Sequence, residues 1–124
     1  MISDWTTPPL SYFVPPGAVT VPDAALALAR EFMGDVGSIG SSRDWVVAFD
    51  WATSRIMRYP DGREVDLGAG LDIGAYRRSD LPPEVIQREG GLEFAIKVPR
   101  EIWEASEQRL IDYDATVLSK VVLR

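Results

Sequence analysis

The stretch "EFAIKVPREIWEASEQRLIDYD", residues 93–114, decides how this chain is read. It opens as an alternating strand, with Phe94, Ile96 and Val98 on one side and Glu93, Ala95 and Lys97 on the other. Pro99 cannot donate to a β ladder but suits the start of a helix, so the chain is expected to switch there. The stub "PREIWEAS" can turn Ile102, Trp103 and Ser106 inward, with Arg100 and Glu104 pairing outside at i, i+4. "RLIDYD" then resumes as a strand, and "SKVVLR" (119–124) follows as its antiparallel partner.

Upstream, "TVPDAALALAREFMG" (20–34) is predicted to be the main helix. Thr20 can cap it, Pro22 fits its first turn, Asp23 suits its positive end, and Gly34 provides a stop. Ala25, Leu28, Ala29 and Phe32 form its buried face. "DVGSIGSSRD" (35–44) is expected to be a mobile loop. "WVVAFDW" (45–51) and "SRIMRY" (54–59) are predicted strands with period-two patterning, and "YPDGRE" is the turn that returns the chain along "EVDL". "GAGLDIGAY" (68–76) is another strand, with Leu71, Ile73 and Ala75 on one face and Asp72, Gly74 and Tyr76 on the other. The expected class is α+β: a mainly antiparallel, twisted β sandwich or partial barrel, one N-terminal helix, and a short helix near residues 100–106.

Length suits one domain, taken as residues 19–124, preceded by a proline-rich extended arm at 1–18. In the arm, Pro8, Pro9, Pro15 and Pro16 surround Trp5, Leu10, Tyr12 and Phe13. Its aromatic side chains can pack on the chain's own domain or cross to a partner. With 46% hydrophobic and 26% charged residues, the chain has enough apolar material for a core. No apolar run reaches membrane-span length and the first residues lack signal-peptide features, so a cytoplasmic protein without membrane contact is expected.

Thirteen basic and nineteen acidic residues give a formal charge of -6, which argues against nucleic-acid binding. The chain has neither cysteine nor histidine, so thiolate nucleophiles, disulfides, imidazole or thiolate metal sites and histidine-based triads have no residues to build them. The remaining carboxylate groupings are weaker signals. Glu101, Glu104 and Glu107 read as a solvated face of the short helix. Asp112 and Asp114 share a strand face and, with Asp72, are the acids that could serve hydrolytic chemistry. The glycines of "DLGAGLDIGAY" lack the strand–turn–helix context of a nucleotide loop. No catalytic, cofactor or metal residue is therefore assigned. A binding surface is placed at Trp51, Tyr76, Arg77 and Arg78, the last two as an adjacent basic pair able to take carboxylates, with a pocket expected where the Leu67–Leu71 loop faces Tyr76, Arg77 and Arg78. Trp45 and Trp103 are expected in the core, and Trp51 at a more exposed strand end.

The order of elements resembles the HesB-like, or A-type iron–sulfur carrier, family. "VTVPDAALALAREF" is similar to its opening strand and capped helix. Glu89-Gly90-Gly91, Leu92–Val98, Pro99–Ala105 and Leu110-Ile111-Asp112-Tyr113 resemble its acidic glycine turn, strand, helical segment and Leu-Asp-aromatic strand. The resemblance spans residues 19–36 and 71–124. It implies that fold, and an oligomer by analogy with the family's dimers and tetramers. It places the family's first ligand cysteine near Leu67 or Gly68, while the Cys-Gly-Cys end has no counterpart. The expectation is a non-enzymatic binding or scaffold protein, unable to ligate a cluster through its own cysteines, whose partner is a protein, a second copy included. The alternative is an unrelated small acidic interaction module of the inhibitory, immunity type.

Overall fold

The computed structural model describes residues 9–17, 20–37 and 44–124. Trp5, and positions 38–43 of the expected loop, lie outside the described residues. The architecture is α+β. Helix α1 (Asp23–Gly37) leads into strands β1 (Trp45–Ala52), β2 (Ile56–Arg58), β3 (Glu64–Asp66) and β4 (Gly70–Arg77). Strands β5 (Gln87–Glu89) and β6 (Leu92–Lys97), helix α2 (Arg100–Ala105), and strands β7 (Ile111–Tyr113) and β8 (Val121–Leu123) complete the chain.

The main sheet has the order β4-β1-β6-β5, and β2-β3 and β7-β8 are separate two-stranded ribbons. Four of the five ladders are antiparallel, but β1 and β6, at the centre of the main sheet, run parallel. β7 and β8 pair antiparallel with each other, as expected of "RLIDYD" and "SKVVLR", in a ribbon separate from the main sheet.

The central position of β1 explains why its pattern departs from period two. Val46, Val47, Ala48 and Phe49 are all fully buried. Strands covered on both faces read as continuous apolar runs. On one face, Val47, Phe49, Leu71, Phe94 and Ile96 join Ala25, Leu26 and Ala29 of α1 in the main core. Phe49 and Phe94 meet edge to face, centroids 5.8 Å apart. On the other face, Val46 and Ala95 lie under Phe13, Leu81 and Val85. Burial of each of these larger side chains contributes about 1.5–3 kcal/mol.

The described part of the arm belongs to this packing. Phe13 and Val14 are each 1% exposed, and the Val14 amide donates to the Ile96 carbonyl at 2.9 Å. Leu10 and Tyr12, on a short 3-10 turn, stay exposed.

Helix α1 differs from its predicted ends. Pro22 lies just outside the helix, its carbonyl accepting from the Ala25 and Leu26 amides at 3.0 and 3.1 Å. Gly34 does not stop the helix, which continues through Asp35, Val36 and Gly37 into the expected loop. Gly34 is not in the left-handed conformation that a glycine stop uses. The helix's buried face includes Leu26, which the predicted set omitted.

Helix α2 forms where Pro99 was expected to switch the chain. The Pro99 carbonyl accepts from the Trp103 amide at 3.0 Å, and Trp103 is buried in the main core. Ser106 ends the helix with its hydroxyl donating to the Trp103 carbonyl at 2.7 Å. Between β5 and β6, Gly90 and Gly91 have φ of 56° and 80°, as a two-residue hairpin turn requires. Arg30 of α1 donates to the Gly90 carbonyl at 2.7 Å, tying the helix to this turn. Among the described residues, no helix is long and apolar enough to cross a membrane.

Candidate functional site

The β1–β4 register separates the expected binding surface into distinct places. Trp51 pairs with Leu71, whereas Tyr76 pairs with Val46 five positions along the ladder, about 17 Å away at strand rise. Alternation also puts them on opposite faces: Trp51 packs against the main core, and Tyr76 against the smaller cluster. These two aromatic residues therefore cannot contribute to one contact patch.

Arg77 and Arg78 part company as well. The Arg77 guanidinium lies over the half-buried Trp45 ring, 4.9 Å from its centroid. Arg78, in the 3-10 turn after β4, grips Glu93 of β6 through two hydrogen bonds of 2.9 and 3.2 Å. This fork holds the Glu93 carboxyl below its ordinary range, and Glu93 in turn raises Arg78. Arg88 reaches the same carboxylate at 3.5 Å. The carboxylate-binding chemistry expected of the basic pair is thus used within the chain by Arg78.

Around Tyr76, the second face of the main sheet carries a polar cluster. The phenol donates to Asp50 Oδ2 at 2.5 Å, and Lys97 Nζ lies 3.6 Å from Asp50 Oδ1 and 5.5 Å from the Tyr76 ring centroid. Burial first, and then the bond to the Asp50 carboxylate, push the phenol well above its ordinary range. A phenol so held is a donor, not a base. Asp50 stands opposite Asp72 in the ladder, and each carboxylate has its own cation, Lys97 and Arg55 respectively.

Asp112 and Asp114 are likewise tied internally. Arg124 Nε lies 2.6 Å from Asp112, and its terminal nitrogen 3.6 Å from Asp114. Asp114 also accepts from the Thr116 hydroxyl at 2.6 Å. Both carboxyls are held below their ordinary range, Asp112 chiefly by Arg124 and Asp114 chiefly by Thr116. The two carboxylates thus share one cation, Arg124.

Arg55 is the residue that sequence reasoning missed. Its side chain is 19% exposed and crosses to the Gly68–Leu71 segment, donating to the carbonyls of Gly68, Leu71 and Ala69 at 3.1, 3.3 and 3.4 Å. It also lies 3.5 Å from Asp72. Gly70 makes room for it, since a Cβ there would stand 2.5 Å from the guanidinium. The sequence carried one signal, a glycine-rich segment shortly after an arginine on a hairpin strand. This is the loop where the family resemblance places a ligand thiolate. Leu67 and Gly68 carry no metal-binding side chain, so the residues present do not fit an iron–sulfur cluster.

The cavity beside this loop turns toward Trp51, away from Tyr76, Arg77 and Arg78. About 270 Å³ in volume, it is bounded by Trp51, Arg55, Gly70, Leu71, Val121 and Leu123. A second cavity of about 350 Å³ adjoins it across Trp51 and Leu123, reaching Ile102, Ala105, Glu107 and Arg124. Trp51 is half-buried rather than open, its ring forming a wall common to both. The two cavities make a groove in which apolar side chains predominate, with Arg55, Glu107 and Arg124 among its lining.

Compared with known proteins, the chain matches no family model, no curated protein and no solved structure.

Proposed function

We propose that this chain is a non-enzymatic binding or scaffold protein, with an iron–sulfur-carrier-like framework, that holds apolar side chains of a protein partner in the groove around Trp51. The observation that carries the reading is a tryptophan shared by two adjoining cavities in whose walls apolar side chains predominate. Tryptophan in such a setting supplies much contact area at small cost in rotamer entropy. The flanking arginines are already neutralised, Arg55 by Asp72 and Arg124 by Asp112, so the groove selects for apolar anchors rather than for anions. The carrier-like framework rests on the order of strand, Pro99, helical stub and Asp112-Tyr113 strand. Without thiolates in these residues, it serves binding and not cluster transfer.

The test begins with a partner captured from the native cell, identified and purified. Calorimetric titration against wild type and Trp51→Ala, with folding checked by circular dichroism, is expected to show at least about tenfold weaker binding by the variant. Equal affinities would sink the groove reading. Anaerobic reconstitution that yields one stoichiometric iron–sulfur chromophore would sink the reading of a chain without cluster chemistry.

A second reading, a small acidic module of the inhibitory type, is favoured by the -6 charge and by the exposed Glu101, Glu104 and Glu107. It would be selected by an affinity that falls steeply with salt and ignores Trp51→Ala.

A further inference from the structure

The β2–β3 ribbon is the most incompletely buried part of the described fold. Every residue of its two strands except Met57 is exposed. Of the seven exposed large hydrophobic residues among those described, four lie on the ribbon or its ends: Ile56, Tyr59, Val65 and Leu67. A two-stranded ribbon is marginal by itself in water, and three or more strands with an apolar face are the usual minimum.

The ribbon's hydrogen bonds show which edge is open. The Tyr59 amide donates to the Arg63 carbonyl at 2.8 Å, and the Leu67 amide to the Arg55 carbonyl at 2.7 Å. Residues 55, 57 and 59 therefore turn their backbone groups toward β3, and by alternation Ile56 and Arg58 turn theirs outward. No other strand pairs with that edge among the described residues.

We propose that this edge pairs with the same edge of a second copy, β2 against β2 in antiparallel register about a twofold axis through Met57. That register sets Ile56 opposite Arg58 of the other copy, twice, and joins the outward-facing donors and acceptors of both residues in hydrogen-bonded pairs. The outcome is a four-stranded sheet, β3-β2-β2-β3, across two copies. On one face, Met57 meets its counterpart between the Val65 and Leu67 side chains. On the other, the aliphatic stem of Arg58 covers Ile56, which is 55% exposed in one copy.

Charge argues for a second copy and for this edge. Between residues 54 and 68, Arg55, Arg58 and Arg63 balance Asp61, Glu64 and Asp66, so the formal charge of -6 lies wholly outside the ribbon. A projecting ribbon without net charge lets two acidic bodies meet without bringing their charge together, whereas a basic partner would be drawn elsewhere. Pairing through the β3 edge about Val65 would put Glu64 opposite Asp66, a like-charge contact on both sides of the axis. Pro60, without an amide donor, limits the pairing to a short segment. The proposal is independent of the Trp51 groove.

The absence of cysteine allows a direct test. On the proposed axis the two Met57 Cα atoms would form a non-hydrogen-bonded pair, about 4.5 Å apart, within disulfide range. Met57→Cys is expected to cross-link into a dimer under mild oxidation much faster than Val65→Cys. Sedimentation of the wild-type chain over a range of concentrations is expected to show reversible dimers, and Ile56→Lys, which opposes Arg58 with a like charge, to weaken them at least about tenfold. A wild-type chain that stays monomeric at several hundred micromolar, or a Val65→Cys variant that cross-links as fast as Met57→Cys, would overturn the proposal.

Discussion

Replacing Gly70 with alanine tests the Arg55 clamp directly. A Cβ at Gly70 would lie 2.5 Å from an Arg55 terminal nitrogen and 2.7 Å from Cζ, far inside contact distance. Gly70 is not in the left-handed region, so alanine fits its backbone and the guanidinium is what must move. Moving it gives up the bond to the Gly68 carbonyl at 3.1 Å, weaker bonds to Leu71 and Ala69, and the 3.5 Å contact with Asp72. One good charged hydrogen bond contributes about 1.5–3 kcal/mol, and a half-exposed ion pair with long contacts adds little. The clamp is therefore worth about 2 kcal/mol. Alanine returns about 0.5 kcal/mol by restricting the unfolded chain. The net cost of Gly70→Ala is then about 1.5 kcal/mol, or a fall in Tm of roughly 3–8 °C. In an Arg55→Ala background the obstacle is gone, so the same change should stabilise by about 0.5 kcal/mol. Urea unfolding of the four proteins, followed by circular dichroism, should give a coupling energy of about 2 kcal/mol. Equal effects of Gly70→Ala in both backgrounds would refute the clamp.

Gly34→Ala should stabilise the protein by about 0.5–1 kcal/mol, because α1 runs through this position and a methyl there meets nothing within 4 Å; a loss of stability in thermal melts would contradict a continuous helix. Gln87→Met should raise stability by about 1 kcal/mol in urea titrations, since Gln87 is 7% exposed and its Nε2 has no partner among the described residues; destabilisation would reveal a hydrogen bond there. Arg124→Met should move the Asp112 titration, followed by carboxyl NMR, back up toward the ordinary carboxylate range. Because the folded-state value is lowered, the contribution of this pair to stability is present above the ordinary carboxylate range and is lost as pH falls through the lowered value; an unmoved Asp112 would assign its shift to the Tyr113 amide.

Much of the fold was legible because its signals are local. The proline switch at Pro99, the inward turn of Trp103, the hairpin at Pro60-Asp61-Gly62 and the two faces of β4 each follow from a few adjacent residues. The helix end at Gly34 was misplaced because a glycine costs only about 1 kcal/mol inside a helix, so the chain can continue through it. The candidate surface was the least legible. Trp51, Tyr76, Arg77 and Arg78 share suitable chemistry, but strand register and alternation distribute them over two faces and different partners. Arg55 was overlooked for the opposite reason, its one signal being the glycine-rich segment that follows it. Its partners are backbone carbonyls 13–16 residues away, and no side-chain pattern announces them.

By itself, the sequence determined the α+β class, most of the element order, and the lack of any thiol or imidazole chemistry, because propensity, punctuation and inventory are properties of neighbouring residues or of the whole chain. Only the tertiary structure decided that β1 and β6 run parallel, that β1 is buried on both faces, that Arg78 is engaged by Glu93, and that Trp51 forms the wall of a groove. Those outcomes depend on which distant strands meet and in what register, and strand pairing is fixed by the burial of the assembled core rather than by any one segment.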